Sequence, residues 1–322
     1  MKKAYSIHPD MSELIEAKNE VTAWSDPEEL REQWIRYGKR LSRPYPAGMV
    51  VGDVSLDCKI PDRDSPVPVR IYRPAETKGQ KAAPCIVFLH GGGFIKGDLD
   101  SADSNAWGAS EYSGAVAVSV DYRLAPENPY PAALNDVYGV VEYLAANAAK
   151  LGIDENRIAL WGESAGGNLT AAVCLMIRDR KKGPKIAAQV SIYGGFNDEF
   201  TSESYTIHGN SIGLKMEFIR EAWGVYMSGP STDRQYAAPL KHKSLAGLPP
   251  AFLHYAEIDP IADDSPQYAK LLKDAGVPVT LRCAEGMIHG FLRARFTGTT
   301  AAAEFALPCM FLRGIFAVTA TA

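Results

Sequence analysis

The chain contains little cysteine and little histidine, with five cysteines and six histidines among 322 residues. The number of cysteines is odd, and no two of them are separated by only two residues. Disulfide-stabilised secreted domains and structural zinc sites both need cysteines in sets at short spacings. We therefore expect a protein that folds in a reducing compartment, with no disulfide framework and no metal site.

The sequence also lacks an excess of charge of one sign and a long hydrophobic run. Its formal net charge is −4, so we expect neither nucleic acid nor a membrane as a partner. The apolar stretch at residues 310–318 is interrupted by Arg313 and is too short to cross a bilayer. No apolar segment typical of a signal peptide follows the first lysines. We expect a cytoplasmic protein, and homodimer formation is a further hypothesis.

Apolar runs and helical patterns alternate through most of the chain. Short continuous apolar runs are typical of parallel strands buried on both faces of a sheet. Such runs lie at residues 85–89, 115–120, 158–161, 188–192, 251–253 and, more weakly, 277–281. Helical patterns lie at residues 131–151, 165–180 and 266–275, and an alternating pattern at 49–72 predicts a β-hairpin. The alternation predicts an α/β fold with a mostly parallel central sheet flanked by helices.

Two segments do not fit this alternation. Residues 1–47 carry spaced apolar side chains among charged ones, which predicts one or two amphipathic helices. Residues 197–248 contain a helical pattern and no strand pattern, and they are too long for a simple connection. We interpret residues 1–47 and 197–248 as a helical cap over a core made of residues 48–196 and 249–322.

Residues 162–166, Gly-Glu-Ser-Ala-Gly, match the G-x-S-x-G pattern of a nucleophile elbow. In this turn a strand passes sharply into a helix, so the serine hydroxyl is exposed and only small neighbours fit. The pattern occurs a second time around Ser211, but there the bulky Ile212 follows, inside the insertion. Ser164 instead follows a buried-strand pattern and precedes small residues that open a helix. We predict that Ser164 is the nucleophile and that Ser211 is a loop or helix-cap serine.

Three successive glycines, residues 91–93, follow His90 at the end of a predicted strand. Glycines at a strand end let backbone N–H groups point into a site, and an HGGG segment is typical of the oxyanion loop of lipases and esterases. A phosphate-binding loop is disfavoured because no Lys-Ser/Thr pair follows the glycines. We therefore expect an oxyanion loop and no cofactor, and we interpret His90 as a structural residue.

The catalytic base is sought among the histidines that follow Ser164, because hydrolases of this type carry serine, acid and histidine in that order. His289 lies after the last strand pattern, where the base should enter the site. His254 lies within a strand pattern and is interpreted as a packed histidine. His242 lies in a lysine-rich polar segment and is interpreted as solvated. His289 is the predicted base.

Asp259 is the predicted acid because it directly follows a strand pattern, and functional groups gather at the carboxyl ends of parallel strands. Glu257 is the second candidate. Asp263 and Asp264 also compete, although Asp264 or Ser265, followed by Pro266, can instead be a helix N-cap. The acid orients and stabilises the histidine without taking its proton.

Five motifs occur in the order found in one known family. They are residues 90–94 (His-Gly-Gly-Gly-Phe), 121–127 (Asp-Tyr-Arg-Leu-Ala-Pro-Glu), 162–167 (Gly-Glu-Ser-Ala-Gly-Gly), 259–260 (Asp-Pro) and 289–291 (His-Gly-Phe). This ordered set resembles the hormone-sensitive lipase family of esterases. The resemblance implies the α/β-hydrolase fold with a two-part cap and a triad of Ser164, Asp259 and His289. It also implies an oxyanion hole formed by the N–H groups of Gly92, Gly93 and Ala165.

The resulting hypothesis is a carboxylic ester hydrolase that acts on short or medium acyl esters through an acyl-enzyme. An amidase or deacetylase of the same fold stays open, because one triad cleaves both bond types. A non-catalytic ligand-binding relative, such as the gibberellin receptors, is less favoured because those proteins lack the triad histidine. The cap also offers Trp24 and Trp223. The residues interpreted as substrate-binding are Phe94, Trp34, Ile212, Phe218 and Ile288, with packing of the cap as the alternative for each.

Overall fold

The computed structural model describes residues 5–22, 26–181, 183–231 and 234–319. In these ranges eight strands form one sheet in the order β1-β2-β4-β3-β5-β6-β7-β8. The strands are β1 (Val50–Leu56), β2 (Val67–Arg73), β3 (Ala83–Leu89), β4 (Val116–Val120), β5 (Ile153–Glu163), β6 (Ile186–Ile192), β7 (Ala251–Ile258) and β8 (Val279–Ile288). β1 and β2 form the predicted antiparallel hairpin, β2 pairs antiparallel with β4, and all other pairings are parallel. The mostly parallel sheet is thereby confirmed.

Helices cover both faces of the sheet. They are α1 (Ser12–Asn19), α2 (Pro27–Arg40), α3 (Leu99–Ser113), α4 (Ala132–Ala146), α5 (Ala148–Leu151), α6 (Ala165–Arg180), α7 (Glu203–Ile207), α8 (Met216–Tyr226), α9 (Asp264–Asp274) and α10 (Thr299–Thr319). Helices α3 and α10 were not predicted. Helix α3 is rich in serine, aspartate and alanine and begins with a capping box between Asp98 and Ser101.

The core consists of two layers because successive side chains of a strand point to opposite faces. On β3, Cys85, Val87 and Leu89 belong to the layer that includes residues of α4 and α6. Ile86 and Phe88 belong to the opposite layer, which includes residues of α3 and α10. All seven residues of β3 are buried, which explains its continuous apolar sequence. The carboxyl ends of the parallel strands β3, β5, β6 and β7 therefore lie in that order along one edge of the sheet.

Helix α10 is longer than the apolar segment recognised at residues 310–318 of the sequence. It has 21 residues, and by length and composition it is the one helix in the described ranges that could cross a membrane. The expectation that the apolar segment is too short was wrong because the helix begins at Thr299 and continues through Pro308 and Arg313. One face packs into the core through Ala301, Phe305, Cys309, Leu312 and Phe316. Core helices meet the same criteria, so the absence of a membrane partner stays a prediction.

Helices α1 and α2 belong to the predicted cap segment 1–47, and α7 and α8 belong to the segment 197–248. Both segments contribute residues to one cavity next to Ser164, among them Trp34 from α2 and Phe218 from α8. The division of the chain into cap and core at residues 47, 196 and 248 stays a prediction.

Candidate active site

Ser164 lies in a sharp turn between β5 and α6. Its backbone has φ 55° and ψ −115°, a strained combination for a residue with a side chain. Its N–H donates to the carbonyl of Ile192 at 2.9 Å, which fixes the turn to the neighbouring strand. A Cβ at Gly166 would lie 2.1 Å from the carbonyl oxygen of Leu89. A residue with a side chain at position 166 would collide with β3, so the turn requires glycine there.

Three side chains from three segments form a continuous hydrogen-bonded set. Nε2 of His289, the first residue after β8, lies 2.9 Å from Oγ of Ser164. Nδ1 of His289 lies 2.7 Å from Oδ2 of Asp259, the first residue after β7. Asp259 is fully buried, and its Oδ1 accepts a hydrogen bond from the N–H of Ile261. In this arrangement the imidazole can take the proton of the serine hydroxyl while the carboxylate holds the ring in place.

The competing carboxylates have other partners. Glu257 accepts from the N–H of Gly286, and Asp263 accepts from the N–H of Ser204. Asp264 is not the helix N-cap that the sequence suggested, because α9 begins at Asp264 itself. Its carboxylate instead accepts from the N–H groups of Phe196 and Asn197 and from the hydroxyl of Tyr205. Burial raises the pKa of Asp264 to about 7.

Two of the other histidines also have defined partners. Nε2 of His254 lies 2.9 Å from the carboxylate of Glu304, which also pairs with Arg282. Burial alone raises the pKa of Glu304, but the bonds to His254 and Arg282 outweigh it and lower the pKa to about 2. His242 is not solvated as expected, because its ring nitrogens lie 3.1 Å from Asp179 and 2.9 Å from the carbonyl of Ser244.

The glycine loop passes directly over Ser164. A Cβ at Gly91 would lie 3.2 Å from Cβ of Ser164, and Gly92 adopts φ +142°, a conformation that favours glycine. The ring of His90 stacks on Tyr122 with centroids 4.1 Å apart, and the Tyr122 hydroxyl donates to the His90 carbonyl. His90 therefore anchors the first residue of the glycine loop to Tyr122. The loop brings the backbone of Gly92 and Gly93 to the same place as Ser164 and Ala165.

Glu163 supports the elbow from within the core. It is 3% exposed, and its carboxylate accepts hydrogen bonds from the side-chain amide of Asn105 and the hydroxyl of Tyr193. Burial raises the pKa of Glu163, while the nearby Arg293 and the two hydrogen bonds lower it in part. Nothing in the sequence pattern indicated that Asn105 and Tyr193 would hold Glu163.

Two cavities meet at Ser164. The first encloses about 630 Å³ of empty space, including some open solvent, and is lined by Ser164, His289, Trp34 and Phe218 among others. The second encloses about 420 Å³ and is lined mainly by apolar residues, including Phe94, Ala165 and Trp223. Both cavities are bordered by Gly93, Ser164, Leu214 and Phe218.

Two of the residues interpreted as substrate-binding lie elsewhere. Ile212 is 48% exposed and lines neither cavity, because Gly213 turns the chain at φ +107° and it is Gly213 and Leu214 that face the first cavity. Ile288 is fully buried in the core layer beneath Gly213. Trp24 lies outside the described residues. Ser211 lies in this same loop, with its Oγ 3.4 Å from Nδ1 of His208.

Three cationic residues of the first cavity were missed. Lys18, Lys96 and Arg293 line it, and they come from α1, from the glycine loop and from the segment after His289. Of the three, only Lys96 lies near a recognised motif in the sequence, because it follows the last of the three glycines by three positions. In the described parts of the chain, no group of three histidines, cysteines or acids could hold a metal ion.

The fold and this hydrogen-bonded set define a serine hydrolase of the α/β-hydrolase class. A family model of the α/β-hydrolase fold matches residues 86–293. Esterase LipI of Mycobacterium tuberculosis is 35% identical over 240 residues, which is 74% of each chain. Carboxylesterase NlhH of the same organism is 37% identical over 230 residues, covering 70% of this chain and 71% of NlhH.

A solved esterase from Pyrobaculum calidifontis has a TM-score of 0.84 and 32% identity, with 96% of this chain and 99% of that chain covered. The chain therefore belongs to the α/β-hydrolase family of the hormone-sensitive lipase type and is a carboxylic ester hydrolase. The resemblance, the fold class and the enzyme class predicted from the sequence are confirmed.

Proposed function

We propose that Ser164, His289 and Asp259 hydrolyse carboxylic esters through an acyl-enzyme. Ser164 attacks the ester carbonyl while His289 takes its proton, and His289 then gives that proton to the leaving alcohol. Water, activated by His289, hydrolyses the acyl-enzyme and regenerates Ser164. The observation that carries this proposal is the unbroken set of contacts, 2.9 Å from Ser164 to His289 and 2.7 Å from His289 to Asp259.

The oxyanion that forms during attack is stabilised, in this proposal, by the N–H groups of Gly92, Gly93 and Ala165. Ala165 is the first residue of α6, and N–H groups in the first turn of a helix have no partner within the helix. The two glycines line the cavity next to Ser164. Each such donor contributes about 10²–10³-fold in rate in well-studied hydrolases.

The acyl group enters the second cavity in this proposal. Phe94, Ala222, Trp223 and Ile261 bound that cavity, and Phe94 stacks on Tyr226 with centroids 3.8 Å apart. These rigid, buried side chains support a preference for short or medium acyl groups. A series of p-nitrophenyl esters should give the highest kcat/KM at short or medium chain length, and a maximum at long chains would contradict the preference.

Replacement of Ser164 by alanine tests the mechanism. The S164A variant should retain its fold and lose turnover of phenyl acetate, whereas S211A, a matched change in the second G-x-S-x-G segment, should retain it. Near-wild-type turnover by S164A would refute the assignment. Comparing acetanilide with phenyl acetate separates an esterase from an amidase, and the esterase proposal requires the ester to be turned over far faster.

Cytoplasmic location and homodimer formation are also proposals. None of the five cysteines, all within the described residues, forms a disulfide, and four of them are buried, which supports a reducing compartment. Exposed apolar side chains on α10, Met310 at 65% and Val318 at 70%, support a subunit contact. Cell fractionation and light scattering of the purified protein test the two proposals, and a membrane fraction or a monomer would contradict them.

A further inference from the structure

Basic side chains outnumber acidic ones in the lining of the first cavity. Lys18, Lys96 and Arg293 line it, and among the described lining residues Glu163 is the one carboxylate. Lys96 is 1% exposed and Arg293 is 7% exposed. Lysine and arginine are seldom this buried in proteins. Together with the half-buried Lys18, these two residues give the cavity next to Ser164 a strongly basic lining.

Lys18 reaches from α1 into the cavity wall. Its ammonium donates to the carbonyls of His289 and Gly213, at 2.9 and 2.8 Å, so neutral acceptors take two of its three N–H bonds. Burial lowers the pKa of Lys18 to about 7, with Asp259 opposing that change and Arg293 adding to it. Lys18 thus ties the cap to the backbone of His289 and leaves donor capacity next to the cavity.

Lys96 lies among aromatic rings. Its Nζ is 3.6 Å from the ring centroid of Phe218 and 4.7 Å from that of Trp34, positions that favour a cation. Burial lowers the pKa of Lys96 strongly, Lys18 lowers it further, and Glu221 opposes both. The guanidinium of Arg293 lies 5.7 Å from the Trp34 ring centroid on the same wall. Like charges in one cavity destabilise one another, and a bound anion would relieve that repulsion.

The position of His289 indicates which part of a substrate enters this cavity. In the proposed mechanism His289 protonates the leaving alcohol, so the alcohol portion must lie on the side of His289. His289 and Gly290 line the first cavity, whereas neither of them lines the second cavity, which is bordered by Ala165 and Ile261. The acyl group therefore enters the second cavity and the alcohol enters the first.

We propose that the first cavity binds a carboxylate on the alcohol portion of the substrate, so that the enzyme prefers acyl esters of aromatic hydroxy acids. Lys96 and Lys18 hold the carboxylate, and the rings of Trp34 and Phe218 flank the aromatic group. This inference rests on the proposed function. The carboxylate takes no part in bond breaking, and the products are the carboxylic acid and the free hydroxy acid.

Two pairs of esters test the proposal on the wild-type enzyme. The first pair is phenyl acetate and meta-acetoxybenzoate, which differ by a carboxylate on the alcohol side. The second pair is phenyl butanoate and monophenyl succinate, which place a carboxylate on the acyl side. We expect kcat/KM for meta-acetoxybenzoate to exceed that for phenyl acetate by at least about tenfold, the effect of one charge-assisted hydrogen bond. Monophenyl succinate should be no better than phenyl butanoate.

The Lys96→Met variant removes the amine and keeps a side chain of similar volume. The ratio of kcat/KM for meta-acetoxybenzoate to kcat/KM for phenyl acetate should fall at least about fivefold below that of the wild type, because most of one charge-assisted hydrogen bond is lost. Lys273→Met is the matched control, because Lys273 is exposed on α9 and lines neither cavity at Ser164. Its ratio should equal that of the wild type. Inhibition of the wild type by benzoate, compared with benzamide, gives a readout that does not depend on variant folding, and benzoate should bind more tightly.

Three results would overturn the proposal: a wild-type ratio of one or less, a preference for monophenyl succinate, or benzoate binding no tighter than benzamide. An unchanged ratio in a folded Lys96→Met variant would contradict the proposal that Lys96 holds the carboxylate. Each of these outcomes is compatible with rapid hydrolysis of phenyl acetate. Failure of the proposed function would instead appear as no turnover of any of the four esters.

Discussion

Replacing Asp259 by asparagine removes the negative charge beside His289 while keeping nearly the same shape. The structure indicates how the new amide will orient. Oδ1 of Asp259 accepts from the N–H of Ile261, and Oδ2 faces Nδ1 of His289 at 2.7 Å. The amide oxygen of asparagine will keep the bond to the N–H of Ile261, so its NH₂ group will face the imidazole.

An NH₂ group at that position is a donor and requires Nδ1 of His289 to accept. The ring then carries its proton on Nε2, the nitrogen 2.9 Å from Oγ of Ser164, and it cannot take the serine proton. The imidazolium that forms during attack also loses its carboxylate. In a well-studied serine protease the same change lowers kcat by about 10⁴-fold, or about 5 kcal/mol of transition-state stabilisation. We expect a similar loss here, with KM nearly unchanged.

Steady-state hydrolysis of phenyl acetate measures this effect, and a thermal melt checks that the variant is folded. The matched control is Glu257→Gln, because Glu257 was the second candidate acid and accepts from the N–H of Gly286, a bond that glutamine can also make. Glu257→Gln should stay within about threefold of the wild type, as a replacement outside the site does. A folded Asp259→Asn variant with activity within tenfold of the wild type would refute the role of Asp259, and a large loss in Glu257→Gln would transfer that role to Glu257.

Three further predictions follow from the same structure. Gly166→Ala should lower Tm sharply or prevent folding, because its Cβ would lie 2.1 Å from a backbone carbonyl oxygen; an unchanged Tm would contradict the close approach at the elbow. Glu304 has a lowered folded-state pKa of about 2, so its stabilisation is complete above about pH 5 and is lost as pH falls towards 2. Urea unfolding across that range should give the wild type a steeper loss of stability than Glu304→Gln, by about 3 kcal/mol in total, and equal slopes would contradict this. Ile212→Ala should leave kcat/KM within twofold because Ile212 is exposed, whereas Phe218→Ala should lower it about tenfold because Phe218 borders both cavities.

The sequence predicted the parts of the fold whose residues repeat with a clear period. The hairpin, the five strands β3 to β7 and helix α6 all carry continuous or periodic apolar residues, and their observed ends lie within five residues of the predicted ones. Strand β8 extends to Ile288, well beyond the predicted 277–281, because it lies at the sheet edge and exposes polar side chains. Its polar half, from Arg282 to Gly286, therefore had no strand pattern.

Helices α3 and α10 could not be predicted from periodicity. Helix α3 is buried through small and polar residues, and a Cβ at Gly108 would lie 2.7 Å from both Arg295 and Phe305, so close packing replaces an apolar stripe. Helix α10 is apolar on nearly all sides and contains Pro308. In both cases the tertiary neighbours determine the helix, and a local sequence pattern does not contain them.

The order of motifs was enough to select three side chains that the structure brings into hydrogen-bond contact. The wall of the first cavity was not predictable, because Lys18 bonds to the backbone of His289 across 271 positions of the chain. Ile212 and Ile288 were named as substrate-binding because they lie next to functional segments in the sequence. Gly213, which has a positive φ, follows the exposed Ile212, whereas Ile288 ends β8 and is buried in the core layer.

The most direct test of the central claim is covalent trapping of the nucleophile. A fluorophosphonate should add to one serine of the native protein, and mass spectrometry of the digested protein should locate the adduct on Ser164. The adduct should be absent from S164A and undiminished in S211A. An adduct on Ser211, or a wild-type protein that hydrolyses esters and yet carries no adduct on Ser164, would contradict the account.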